Sequence, residues 1–188
     1  CITSTGRAEK EAIVTRDGAR PNELICVTGD LGAAFMGLQL LERERKLWKE
    51  TGGTQPDLAG HEYIIERQLK PDLPVEVLKE INRSGILPAS MIDITDSLAT
   101  DLLQLCKSSR TGCRLYADKI PVDRETAAMA EEMGIEPLTA ALNGGEDYEL
   151  LFTMPLESYD TIISVKGVRI IGHMTQPEYG CYIVSADG

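Results

Sequence analysis

Apolar residues come along this chain in short runs and in helical stripes, divided by turn residues. Ile25 to Thr28 is a short apolar run between Pro21-Asn22 and Gly29, which predicts a buried strand. Gly32 to Lys49 predicts a helix of two characters. Its first half, Ala33-Ala34-Phe35-Met36-Gly37-Leu38, is apolar nearly all round and reads as deeply buried, whereas Glu42-Arg43-Glu44-Arg45-Lys46 reads as a solvated, charge-laced turn. After the loop Thr51 to Pro56, a helix runs from Glu62 to Lys70 and stops at Pro71. Pro74 opens the next helix, where Val75, Leu78 and Ile81 share one face and Gly85 ends it. Met91 to Ile94 predicts a strand, followed by a helix over Ser97 to Ser108 with Leu98, Leu102, Leu105 and Cys106 as its apolar stripe. Cys113 to Tyr116, Leu150 to Thr153, Val168 to Gly172 and Tyr182 to Ser185 predict strands; Arg124 to Met133 and Leu156 to Ser164 predict helices. Strands and helices mix without a strict βαβ rhythm. The chain therefore predicts an α+β fold, an α/β sandwich with helices packed on one face of a mixed sheet.

Composition narrows the function classes. The 188 residues are 43% hydrophobic, ordinary for a globular chain, and carry a formal net charge of -11. That charge argues against a nonspecific nucleic-acid or anionic-membrane surface, though a bound cation can reverse the local sign for a phosphate ligand. The five cysteines are spread out and form no Cys-x-x-Cys pair, so neither a zinc site nor a disulfide framework is expected. With no signal peptide and no apolar stretch of membrane-spanning length, the cytoplasm is the expected compartment. The opening Cys1-Ile2-Thr3-Ser4-Thr5-Gly6 reads like the middle of a strand, as expected of a fragment of a longer chain.

Two acidic elements carry the candidate chemistry. In Leu142-Asn143-Gly144-Gly145-Glu146-Asp147-Tyr148-Glu149-Leu150-Leu151-Phe152, two glycines precede three acids and a strand. Gly145 reads either as a positive-φ turn residue or as a point of close ligand approach. The acids read either as a solvated turn or as a cation-handling loop. In Met91-Ile92-Asp93-Ile94-Thr95-Asp96-Ser97-Leu98, two carboxylates stand where a strand gives way to a helix. Asp96 is placed to cap that helix, with Asp93 a polar strand residue; alternatively the two hold a divalent cation through oxygen ligands. The chain contains neither Gly-x-x-x-x-Gly-Lys-[Ser/Thr] nor Gly-x-Gly-x-x-Gly, so any nucleotide phosphate must be met by metal and carboxylates instead. His61 and His173 lack the partners of a catalytic triad.

Together, Met91-Ile92-Asp93-Ile94-Thr95-Asp96-Ser97-Leu98 and Gly144-Gly145-Glu146-Asp147-Tyr148-Glu149-Leu150 resemble the thiamine-monophosphate kinase family. Val14-Thr15-Arg16-Asp17-Gly18-Ala19 and Val27-Thr28-Gly29-Asp30-Leu31-Gly32 resemble its mid-chain segment. The resemblance implies a fold like the C-terminal domain of aminoimidazole ribonucleotide synthetase, and a division into residues 1–30, the tail and connector of an ATP-binding domain, and residues 31–188, a C-terminal domain. It implies ATP-dependent phosphorylation of thiamine monophosphate by direct in-line transfer within a larger homodimeric enzyme. The alternatives are another ATP-using enzyme of the same superfamily and a noncatalytic thiamine-phosphate-binding module. It implies Mg2+ on Asp93 and Asp96, ATP contacts from Arg16 and Thr95, and thiamine monophosphate at Gly145, Glu146 and Asp147. Ser97 stands where the family has glycine; a positive φ there would strain the turn.

Overall fold

The structure, a computed structural model, describes residue 3 and residues 5–185. Cys1, Ile2 and Ser4, the start of the strand-like opening, lie outside the described residues. Six strands form one sheet: β1 (Leu24–Thr28), β2 (Ser90–Asp93), β3 (Gly112–Tyr116), β4 (Leu150–Met154), β5 (Val168–Thr175) and β6 (Cys181–Val184). Their order is β2-β4-β1-β5-β3-β6, antiparallel throughout except for the parallel β3–β6 pair. The helices are α1 (Ala33–Glu50), α2 (Glu62–Leu69), α3 (Val75–Arg83), α4 (Leu98–Ser109), α5 (Arg124–Glu132), α6 (Pro137–Asn143) and α7 (Tyr159–Ile162). The mixed sheet and the α+β class are those the residue pattern predicts.

Cover over the sheet is wider than predicted, because helices lie on both faces. Side chains alternate across each strand. Ile25, Val27, Ile92, Leu115 and Leu151 join Leu98, Leu102 and Leu105 of α4 in one core. Leu24, Cys26, Phe152 and Met154 on the opposite face join Ile81 of α3 and Ile162 of α7 in a second. A third core, away from the sheet, ties α1, α2 and α5 together through Met36, Leu40, Ile64 and Met129. In the first half of α1, Ala33, Ala34, Met36 and Gly37 are buried as its apolar sequence predicts, whereas Leu38 is exposed on the helix's outer side.

Three further differences have local causes. The expected division at residue 30 separates β1 from its sheet, yet β1 is hydrogen-bonded on both sides, to β4 and β5, so Leu24–Thr28 belong with the sheet domain. The helix expected over Leu156 to Ser164 is a 3-10 turn, Leu156–Ser158, leading into the single turn of α7. Short α6 was not read from its apolar pattern; its signals are Pro137 in the first turn and Glu136, whose carboxylate accepts from Thr139 N at 3.1 Å.

Candidate active site

The loop between β2 and α4 places its two carboxylates in solvent. Asp93 ends β2, an edge strand, and its Oδ2 accepts from Thr95 Oγ1 at 2.6 Å. Asp96 is exposed and does not cap α4. The cap is Ser97, whose Oγ accepts from Thr100 N at 3.1 Å. Buried Asp101, one turn in, accepts at Oδ2 from the backbone N–H groups of Thr95, Asp96 and Ser97 at 3.0, 3.1 and 3.2 Å. The amides of the turn that leads into α4 are thus occupied by the chain's own carboxylate, and Asp93 and Asp96 each keep an oxygen free. Ser97 has φ 175 and ψ 160, extended backbone that any residue adopts, so the strain a positive φ would impose there is not present.

Arg16 reaches the same surface from a distant part of the chain. Its segment lies along β2, with Met91 N donating to Thr15 O at 3.2 Å, and along α4, with Ser109 Oγ donating to Arg16 O at 3.2 Å. Arg16 Nη1 donates to Gln104 Oε1 at 3.2 Å, and Gln104 Nε2 reaches Asp96 Oδ2 at 3.5 Å. One glutamine side chain therefore bridges Arg16 and Asp96.

The Gly-Gly-Glu-Asp loop is bolted behind the same turn. Glu146 N donates to Thr95 O at 2.8 Å, Tyr148 N to Ile94 O at 3.0 Å, and Ile94 N to Glu149 O at 2.8 Å. Gly145 is buried at φ +72, and a Cβ there would run into Asp96 O and lie 2.9 Å from Thr95 O. Its need for glycine thus has a reason inside the protein: positive φ together with close approach of backbone. Glu146 and Tyr148 also have positive φ, 57 and 54, a strained conformation for residues with side chains. Beside this loop, Leu73, Pro74, Val75, Leu78, Asp93 and Tyr148 line an open, mostly apolar cavity of about 230 Å³.

The acids of the loop divide by direction. Glu146 is exposed, with Gln68 Nε2 donating to its Oε2 at 3.3 Å. Asp147 is buried and sits at the start of α1, where Gly32 N donates to both carboxylate oxygens at 3.0 Å. A carboxylate suits the positive end of a helix dipole. Burial nevertheless pushes Asp147 up to about 6, against the lowering effects of Gly32 N and Arg67. Glu149 is also buried and raised by desolvation; it accepts from Thr28 Oγ1 and pairs with Arg67 Nη2 at 3.0 Å. Arg67 further donates to the Asp147 carbonyl at 3.1 Å. Asp30, raised by burial, accepts from Tyr63 Oη at 2.6 Å while its Oδ1 is buried without a partner. Burial acts to lower the Arg67 guanidinium, but Glu149, Tyr63, Asp30 and Asp147 around it reverse this and hold it raised.

No family model matches the chain. Thiamine-monophosphate kinase of Aquifex aeolicus is 32% identical over 179 residues, covering 90% of this chain and 55% of the relative. That of Salmonella typhimurium is 35% identical over 153 residues, covering 80% and 41%. The crystal structure of the Aquifex aeolicus kinase superposes with a TM-score of 0.76 at 30% identity, over 90% of this chain and 52% of that one. Over most of its own length the chain is similar to thiamine-monophosphate kinases. It spans about half the length of the curated relatives it matches. A structure of AaThiL complexed with AMPPCP and TMP matches with a TM-score of 0.75 at 30% identity. Hydrogenase maturation protein HypE in complex with ATP matches at 0.62 and 16% identity, a likeness of fold.

For a thiamine-monophosphate kinase relative, the placement of the candidate residues is uneven. Arg16, Asp93, Thr95 and Asp96 converge on one surface, Gly145 and Glu146 pack beside it, and Asp147 faces inward to α1. His173 lies elsewhere, its Nδ1 3.0 Å from Tyr116 Oη. Gln104, Asp101 and Arg67 were missed by sequence reasoning. Arg67 and Gln104 carry no local motif; Asp101, four residues after Ser97, was legible as an acid in a first helical turn.

Proposed function

We propose that this chain forms part of an enzyme that transfers the γ-phosphoryl group of ATP to thiamine monophosphate, giving thiamine diphosphate. The observation that carries the reading is the Arg16–Gln104–Asp96 bridge, which gathers a guanidinium, a hydroxyl at Thr95 and two carboxylates on one exposed surface from segments far apart in sequence. In-line phosphoryl transfer asks the protein mainly for positioning and charge neutralisation. Asp93 and Asp96 fit Mg2+: both are exposed, offer hard oxygen donors, and have no ion-pair partner among the described residues. Bound there, the ion would neutralise phosphate charge. Arg16 would grip a phosphate through its planar fork, and Thr95 Oγ1 orients Asp93. Because Asp101 already fills the amides of Thr95, Asp96 and Ser97, phosphate charge at that turn falls to the cation and Arg16.

The thiamine monophosphate side is assigned to Glu146 and the rim of the cavity by Asp93 and Tyr148; Gly145 contributes by letting the loop pass against Thr95 and Asp96. Asp147 serves that side indirectly, by fixing the loop to α1. The remaining nucleotide and metal ligands would come from the part of the relatives that this chain does not span, in a cytoplasmic homodimer. Among the described residues no helix is long and apolar enough to cross a membrane.

The test is a magnesium-dependent assay with ATP and thiamine monophosphate on the full-length parent. Asp93→Asn and Asp96→Asn should each lower turnover about a hundredfold or more, the equivalent of ~3 kcal/mol of transition-state stabilisation. Both variants should melt like the parent, since neither carboxylate holds the fold. Full turnover in Asp96→Asn would return Asp96 to a surface role, and binding without turnover in the parent would favour a noncatalytic module.

A further inference from the structure

Cys106 of α4, Cys113 of β3 and Cys181 of β6 are distant in sequence, and the fold brings their sulfurs within 4.8 Å of one another. The cluster lies on the sheet face that α4 covers, away from Asp93 and Asp96. Cys113 and Cys181 are register partners in the parallel β3–β6 pair, and Cys113 N donates to Gly180 O at 3.0 Å. Arg114 fixes the start of β6. Its Nη1 donates to Cys113 O at 3.0 Å, Tyr179 O at 3.1 Å and Gly180 O at 3.3 Å, and its guanidinium carbon stands 4.5 Å from the Tyr182 ring centre. Cys106 and Cys113 are buried and Cys181 is exposed. Cys113 and Cys181 form part of the wall of a mostly apolar cavity of about 150 Å³, with Leu102, Leu103, Leu115 and Ile183.

We propose that Cys106, Cys113 and Cys181 form a three-thiolate site for a soft d10 metal ion, Cu(I) or Zn(II). Thiolate sulfur selects soft ions over the hard Mg2+ of the nucleotide side, so the two sites do not compete for one metal. A centre with bonds of about 2.3 Å holds its sulfurs roughly 3.8 Å apart, so three sulfurs already within 4.8 Å need close by only about an ångström. Cu(I) is satisfied by three sulfurs. Zn(II) takes a fourth ligand, which water supplies at the exposed Cys181 side. Three thiolates on Zn(II) leave one negative charge, and the neighbouring Arg114 guanidinium offsets it. Metal entry displaces three thiol protons to the buffer. Hydrogen bonding to Cys106, followed by burial, raises Cys113, and burial raises Cys181, so without metal these two hold their thiol protons.

The bland alternative is three small apolar side chains filling a core edge. To separate the two, the reduced full-length protein is titrated anaerobically with Zn(II) and, in a second arm, with Cu(I). Thiolate-to-metal absorption and metal content after desalting are the readouts. The parent should retain one metal equivalent more than Cys181→Ser and one more than Cys106→Ala, and Cys26→Ser should match the parent. Cys181 is exposed, so its serine variant keeps the fold, which circular dichroism checks. The arm that saturates at one equivalent names the ion. Equal metal retention in the parent and Cys181→Ser overturns the proposal. So does a parent that binds neither ion and instead forms a Cys113–Cys181 disulfide in air.

Discussion

Asp93 and Asp96 stand in solvent at the mouth of α4, whereas Asp147 and Glu149, a few ångströms of backbone behind them, are closed off from it. Among the described residues the front pair has no ion-pair partner, and Arg16 reaches Asp96 only through Gln104. In the back pair, Glu149 pairs with Arg67 and accepts from Thr28 Oγ1, while Asp147 accepts from Gly32 N and offers its carbonyl to Arg67. Both regions are acidic in the sequence, and a motif reader would put all four acids at the ligand. The difference is that the Glu146-Asp147-Tyr148-Glu149 run alternates outward and inward as it approaches β4, and alternation alone splits its acids between two tasks. Exposed carboxylates keep their oxygens for a ligand. Buried ones hold α1, α2 and the loop in register.

The two arginines, one largely buried and one exposed, carry the largest expected difference in stability. Arg67→Met should cost about 3–5 kcal/mol of stability, because it leaves Glu149 and Asp30 buried beside no cation. Arg16→Met should stay within about 0.5 kcal/mol, since Arg16 is exposed. Urea denaturation at pH 7.5 reads both. Similar costs for the two would mean that the buried network does not hold the fold.

The pH dependence of stability sharpens the same contrast. Asp147 lies at about 6 in the folded protein against an ordinary 3.8. Between those values the folded state binds the extra proton, so stability rises as pH falls from 6 towards 3.8, and the cost is fully present above 6. The gap is worth at most about 3 kcal/mol. Asp30 and Glu149, also raised by burial, act in the same direction. Acidification also relieves the general negative charge, so the useful quantity is a difference between proteins. From pH 7.5 to 5.0 the parent should gain more stability than Asp147→Asn, which keeps an acceptor for Gly32 N but cannot titrate. An equal gain would place Asp147 in contact with water.

Gly145 joins the two regions, and its substitution tests the joint. Gly145→Ala places a side chain at φ +72 against the Asp96 and Thr95 carbonyls, and should destabilise by at least about 1 kcal/mol. Because those carbonyls belong to the turn that presents Asp96, turnover should fall as well, and more than melting alone accounts for. A variant that melts like the parent but binds thiamine monophosphate poorly would instead make Gly145 a direct ligand contact.

The strands and most helices were legible because their apolar residues keep period two or period 3.6, as in β4 and α4. Coverage of the second sheet face was not, because Ile81 and Ile162 sit on helices whose partners, Phe152 and Met154, are far away in sequence. At the site, Asp93, Thr95 and Asp96 were legible as a cluster in one loop. The inward turn of Asp147 was not: it depends on where the N-terminus of α1 comes to lie, a tertiary fact. The three cysteines failed for the same reason. Their spacing matches no local ligand motif, and only the parallel pairing of β3 with β6 and the cover of α4 unite them.

The smallest effect is expected at Ser97, between the two regions. The family resemblance puts glycine there, which raised the prospect of a strained turn. At φ 175 no strain exists to relieve, and Ser97 Oγ caps α4 through Thr100 N. Glycine caps nearly as well as serine, so Ser97→Gly should cost only a few tenths of a kcal/mol, whereas Ser97→Ala, which removes the acceptor without restoring backbone freedom, should cost about 1 kcal/mol. Turnover should be unchanged within about twofold in Ser97→Gly, because the three amides that shape the loop are held by Asp101 and not by residue 97. Thermal melting and the phosphorylation assay on the full-length protein give both numbers. A tenfold rise in turnover would show that the serine side chain obstructs the phosphate side, and would move Ser97 from the architecture behind the loop to the ligand surface in front of it.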